Sequence, residues 1–197
     1  MLKRAQQNAL FLLIDSPEDK FKKFVYACNE LDSETVVSSR DSRDGFAGCT
    51  LLHEACKFGN FDAVVFLIGL GHIIDCIDTS VSGVTPLMEA IMINNIEIVE
   101  FLIKNGASLS CRDFRGENAF HYAARVGTRI CLALLQNQEV SSADVKHILM
   151  SKNVKLRLPE SLAVNPFVGD MLRQFRETGR FEQPIRTNKK NSNKVLK

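Results

Sequence analysis

The chain has 197 residues, is 45% hydrophobic and 24% charged, and carries a formal net charge of +2. Those values exclude a collagen-like, low-complexity or small disulfide-scaffold chain, and the length suffices for a core without staples. The charge is uneven: residues 1–140 hold 13 basic and 18 acidic residues, a net −5, whereas residues 141–197 hold 12 and 5, a net +7.

Residues 1–16 read as an N-terminal extension. Its apolar run, Ala9 to Ile14, follows Lys3 and Arg4 but is only six residues long. Asp15-Ser16-Pro17-Glu18 stands where a signal peptide needs small residues, so no export signal is expected. No stretch approaches the ~20 apolar residues of a membrane-spanning helix. A cytoplasmic or nuclear chain with reduced thiols is the expectation. From residue 17 onward, Phe21, Phe24, Val25 and Cys28 mark one face of a helix.

Next comes internal repetition. Gly48-Cys49-Thr50-Leu51-Leu52-His53-Glu54-Ala55-Cys56 returns 35 residues later as Gly83-Val84-Thr85-Pro86-Leu87-Met88-Glu89-Ala90-Ile91. It returns 33 residues further on as Gly116-Glu117-Asn118-Ala119-Phe120-His121-Tyr122-Ala123-Ala124. Val64, Val99 and Leu132 keep step, as do Leu67, Leu102 and Leu135, and Gly71 matches Gly106. Within a unit, Thr85-Pro86 predicts a helix start, and Leu87, Ala90 and Ile91 give it one apolar face. Asn94-Asn95 breaks that helix. Ile96 to Ile103 predicts a second one, which Gly106 stops. One such hairpin cannot bury both its faces, so neighbours must stack.

Flanking copies are weaker. Ala27-Cys28 and Val36 repeat Ala55-Cys56 and Val64 at a 28-residue spacing. Downstream, Pro159, Ala163, Leu172, Phe175 and Gly179 keep the internal offsets of Pro86, Ala90, Val99, Leu102 and Gly106. The step from Ala123 to Ala163 is 40 residues, and the surplus predicts an inserted helix near 141–151. Residues 181–197 are polar and basic and are expected to be disordered.

These units resemble the ankyrin repeat, whose pattern is a turn, G-x-T-P-L-H, a helix pair and a finger. The resemblance implies an all-α solenoid of about five helix-turn-helix units, three clear and two degenerate caps, with β-hairpin-like fingers. The units fall at about 17–43, 44–78, 79–111, 112–152 and 153–180. It also implies a structural role for His53 and His121, linking neighbouring finger turns. Departures are Leu51 in place of Pro and Asn118-Ala119 in place of Thr-Pro.

No catalytic or metal-binding pattern emerges. The six cysteines form no C-x-x-C pair, the four histidines no H-x-x-x-H pair, and no phosphate-binding glycine motif occurs. The chain therefore reads as a non-enzyme without cofactor or metal. By the resemblance, the concave contact positions are Asp44, Phe46, Ala47, Lys57 and Phe58, then Thr79, Val81, Ser82, Met92 and Ile93, then Arg112, Phe114, Arg115, Glu117, Arg125 and Val126. This mixture of aromatic, apolar and Arg side chains suits a protein or peptide partner bound by a monomeric adaptor. Two alternatives stand beside it. One is an inhibitor-type ankyrin protein that mimics a larger regulator, such as an inhibitor of NF-κB, although the Asp-Ser-Gly degradation signal of that family is absent. The other is weak nucleic-acid, nuclear or acidic-surface association through the basic residues of 186–197, without base reading because the segment has no aromatics.

Overall fold

A computed structural model describes residues 10–14, 19–31, 33–40, 48–79, 82–137 and 139–180, with the backbone alone for 19–21, 33 and 37. Asp44, Phe46, Ala47 and Val81, and the segment 181–197, lie outside the described residues. Residues 10–14 are helical (α1). Then follow α2 (Asp19–Asn29), α3 (Ser33–Ser38), α4 (Leu51–Lys57), α5 (Phe61–Gly69), α6 (Pro86–Met92) and α7 (Ile96–Lys104). The remainder are α8 (Ala119–Val126), α9 (Thr128–Leu135), α10 (Ser142–Leu149), a 3-10 turn (Pro159–Leu162) and α11 (Pro166–Thr178). Among the described residues, extended pairing is limited to one antiparallel bridge, Arg40 with Thr50. The molecule is an all-α repeat solenoid.

The helix starts follow from local chemistry. Thr85 is extended, its hydroxyl accepts from the Met88 amide at 3.4 Å, and Pro86 occupies the first turn. Asn60, Asn95, Ser141 and Asn165 cap α5, α7, α10 and α11 in the same way. Asn94 takes φ +57, the left-handed turn that separates α6 from α7.

The helices form two rows. α4, α6, α8 and the 3-10 turn pack successively in one row, and α5, α7, α9 and α11 in the other. Ala55, Ala90 and Ala123 are fully buried at equivalent positions, where a small side chain lets the paired helices approach closely. Around them Leu52, Leu67, Leu87, Val99, Leu102, Phe120 and Leu135 fill the spaces between units. The interior is thus a series of interfaces, as expected for a stacked array.

Two ends depart from simple repetition. Three residues of the apolar run assigned to the N-terminal extension are core: Leu10, Phe11 and Ile14 are at most 1% exposed, and Asn60 Nδ2 donates to the Ile14 carbonyl. At the other end, Pro159 and Ala163 do not open a full first helix. Only one 3-10 turn forms, because Asn165 must be extended before Pro166 and the chain has few residues to spare between the two prolines. The turn still packs on α8, and the Val164 amide donates to the Ala124 carbonyl at 2.8 Å. α10 fills the space before this last unit and packs on α11.

Candidate interaction face

The finger turns are joined to one another through the backbone. Thr79 N–H donates to Gly48 O at 3.5 Å, Phe114 N–H to Ser82 O at 3.0 Å, and Val154 N–H to Arg115 O at 2.9 Å. Two buried histidines add ties between units. Nδ1 of His53 accepts from the Thr50 amide at 3.2 Å, and its Nε2 lies 3.0 Å from the Val84 carbonyl of the next unit. His121 repeats this with the Asn118 amide at 3.2 Å and the Arg157 carbonyl at 3.1 Å. Burial lowers the pKa of both imidazoles, that of His53 to about 4, so each is neutral, with Nε2 donating to the carbonyl.

The sequence-expected contact residues separate into three groups. Phe58, Met92 and Ile93 are each about two-fifths exposed, and Phe114 is 56% exposed. Phe58 and Ile93 occupy the same position at the ends of α4 and α6, and Ile93 closes over Gly59. Together with Met92 they make an apolar ledge along the ends of two neighbouring first-row helices. The Phe114 ring lies over Gly83, where a Cβ would come within 2.6 Å of it. Thr79 and Arg112 are exposed, and Arg112 donates to the Lys152 carbonyl at 2.7 Å. Lys57 is partly exposed and pairs with Glu54 at 3.8 Å.

A second group is engaged in a polar network. Asp113 accepts from the Arg115 and Glu117 amides through one oxygen, and from Arg115 Nε at 3.0 Å and Tyr122 OH at 2.8 Å through the other. Arg115 and Arg125 both lie 5.6 Å from the Tyr122 ring centre. Arg115 also donates to the tyrosine oxygen at 2.8 Å. Glu117 accepts from Arg125 and, at 2.9 Å, from Asn153 Nδ2. Burial alone would raise its pKa, but these donors bring it below the ordinary value. Glu117 is only 2% exposed, so the contact expected of it is replaced by an internal role that joins its own turn to the next one, at Asn153. The hydroxyl of Ser82 donates to Asp78 at 2.7 Å, and Val126 packs partly into the core. The third group comprises Asp44, Phe46, Ala47 and Val81, which lie outside the described residues.

Sequence reasoning passed over the row just behind the ledge: Glu54, Glu89 and Tyr122. Their shared register at offsets of 35 and 33 residues was the available signal. Glu89 lies one helical turn from Met92 and Ile93 and is partly buried. Burial raises its pKa to about 7, reinforced by Glu54 and Asp78 and opposed by Lys57. Among the described residues, no hydrogen bond or ion pair reaches the Glu89 carboxylate.

Cys28, Cys49, Cys56 and Cys131 are buried free thiols; desolvation raises Cys28, Cys49 and Cys131 to about 12 and Cys56 well above its ordinary value, and so they are unreactive. Among the described residues, no group of His, Cys, Asp or Glu is placed to hold a metal, and no helix is long and apolar enough to cross a membrane.

The paired helices, the two stacked rows and the histidine ties between turns define a repeat protein. The family of ankyrin repeats (3 copies) matches residues 18–113 and again 52–147, which together span well over half the chain. The chain belongs to the ankyrin repeat family, whose members are generally protein-interaction modules and typically non-catalytic. No curated protein matches it.

Proposed function

We propose that the protein is a non-catalytic adaptor that captures a partner protein or peptide on the face built from the first-row helices and the finger turns. The observation that carries this reading is the set Phe58, Met92, Ile93 and Phe114: large apolar side chains left in solvent at the ends of two neighbouring first-row helices and on a finger turn. Apolar clusters of this kind on a soluble surface mark interaction sites. Beside Phe114, Arg115 and Arg125 are preorganised by Asp113, Glu117 and buried Tyr122, so they offer cations with little ordering cost on binding. The test is affinity capture from the native cell with wild type and the Phe58→Ala/Met92→Ala/Phe114→Ala variant. A partner held by wild type and lost by the variant, with unchanged circular dichroism, is the expected result. Equal recovery by both would refute the assignment of this face.

A further inference from the structure

The last two finger turns are copies of one another, and the second carries a side chain that the fold does not need. Asp113-Phe114-Arg115-Gly116-Glu117 corresponds to Asn153-Val154-Lys155-Leu156-Arg157. Their backbone bonds coincide: the first amide donates to the fifth carbonyl at 3.0 Å in both, and the fourth amide to the first carbonyl at 2.9 Å. Asp113 Oδ1 accepts from the Arg115 and Glu117 amides, and Asn153 Oδ1 from the Lys155 and Arg157 amides. The fourth position is left-handed in both, at φ +71 and φ +59. Gly48, Gly83 and Gly116 hold that position in the earlier units, all at positive φ, and Leu156 holds it here. Left-handed backbone disfavours any residue with a Cβ, so leucine destabilises the turn relative to glycine. Packing does not compensate, because Leu156 is 76% exposed and Val154 beside it 68%. Strain kept for a side chain in solvent points to a contact made outside the chain.

The surrounding charge indicates the occupant. Residues 112–117 and 152–157 hold Arg112, Arg115, Lys152, Lys155 and Arg157 against only Asp113 and Glu117. Both acids are buried and already bonded, by Arg115, Tyr122, Arg125 and Asn153. Lys152, Lys155 and Arg157 are exposed, and among the described residues no ion pair engages them.

We propose that these two turns bind an acidic peptide segment of the partner, with its apolar side chains against Val154 and Leu156 and its carboxylates on Lys152, Lys155 and Arg157. Val154 and Leu156 are aliphatic and give a base no face to stack on, which favours a peptide over a nucleic acid. The second turn is held ready for it. Val154 N–H donates to Arg115 O, Asn153 Nδ2 to Glu117, and His121 Nε2 to the Arg157 carbonyl, so little ordering remains to be done on binding.

This inference rests on the finger turns facing a partner, as proposed above, and adds the chemistry of that partner. Its test selects random phage-displayed peptides on the full-length chain. The enriched pool is expected to combine Asp and Glu with Leu, Ile, Val or Phe. A fluorescent peptide from that pool should bind more weakly as salt rises. Leu156→Gly should weaken it on the order of tenfold or more. The urea midpoint of the same variant should stay level or rise, because glycine relieves the left-handed backbone. Lys155→Glu/Arg157→Glu should also weaken the peptide, by reversing the charge it meets. An enriched pool without acidic character, binding left intact by Leu156→Gly, or a midpoint lowered by Leu156→Gly would each overturn the proposal. Single-stranded DNA bound more tightly than the peptide, without response to Leu156→Gly, would overturn it in favour of a nucleic acid. Failure here alongside capture lost in the Phe58→Ala/Met92→Ala/Phe114→Ala variant would remove the acidic ligand and leave the interaction face. Success here alongside undiminished capture by that variant would remove the helix ledge and keep the finger site.

Discussion

Glu89 and His53 are both buried enough to titrate abnormally, and they respond to pH in opposite senses. Burial holds Glu89 protonated up to about 7, against an ordinary 4.5. An unfolded chain ionises this residue first, so its cost to the fold is absent below 4.5, grows between 4.5 and about 7, and is complete above. Glu89→Gln should therefore raise the melting temperature near neutral and alkaline pH and change it little in acid, as thermal unfolding at several pH values will show. His53 is kept neutral by burial down to about 4, against an ordinary 6.5. Its contribution is full above 6.5 and is lost as pH falls toward 4, because the unfolded state then binds the extra proton. Its imidazole resonances should stay neutral-like through the pH range where a free histidine titrates, and His72, likewise lowered to about 4 by burial, should behave the same way. Gly83 has φ +68 and the Phe114 ring directly above it. Gly83→Ala should cost at least ~1–2 kcal/mol in denaturant unfolding and displace that ring, since both the backbone and the space disfavour a Cβ.

Among the elements, the helix starts differ in what they hold. Thr85 supplies a single cap bond to α6, and Thr85→Ala should cost ~1 kcal/mol. Asn118 opens α8 where Thr-Pro stands in the middle unit, and it does more. Its Oδ1 accepts from the Phe120 amide at 3.1 Å, and its Nδ2 donates to the Ile148 carbonyl at the end of α10. A threonine cannot make the second bond, so the departure from the repeat pattern is explained by the helix that follows. Asn118→Ala should cost more than Thr85→Ala, roughly 2 kcal/mol, and Asn118→Thr should recover only the cap portion, as measured by chemical denaturation. At the last unit, Arg176 forks onto both oxygens of Glu160 at 2.9 and 3.0 Å, which clamps α11 to the 3-10 turn that replaces a full helix.

For the whole molecule, stability is a sum over neighbouring interfaces, so its end units matter as much as its middle. Buried Val168, Met171, Leu172 and Phe175 bring α11 onto α9 and α10, and the 3-10 turn covers α8. Deleting residues 159–180 would strip that cover from Ala124, Cys131 and Leu135. The shortened chain should aggregate by light scattering under conditions where the full chain stays monodisperse. The N-terminal end follows the same logic. Leu10, Phe11 and Ile14 are as buried as any residue of the central repeats, so removing them should destabilise the stack rather than trim a tail.

The sequence alone determined the repeats, the helix pairs of the three central units, the stacking and the family, because each depends on local periodicity, caps and turn residues that recur in register. The family resemblance also marked Phe58, Met92, Ile93 and Phe114 as contact positions, and each has a side chain open to solvent. Which of the marked polar residues remain available was decided only by tertiary structure. Glu117 bonds across to Asn153, 36 residues away, and Asn118 to Ile148, 30 residues away; no local spacing encodes such pairings. The same holds for Glu89, whose shifted titration arises from burial beside charges of other units, and for Leu10, Phe11 and Ile14, whose burial comes with the Asn60 bond to the Ile14 carbonyl, 46 residues away. Periodicity reports which side of a helix faces inward, whereas partnership depends on what the next unit brings into contact.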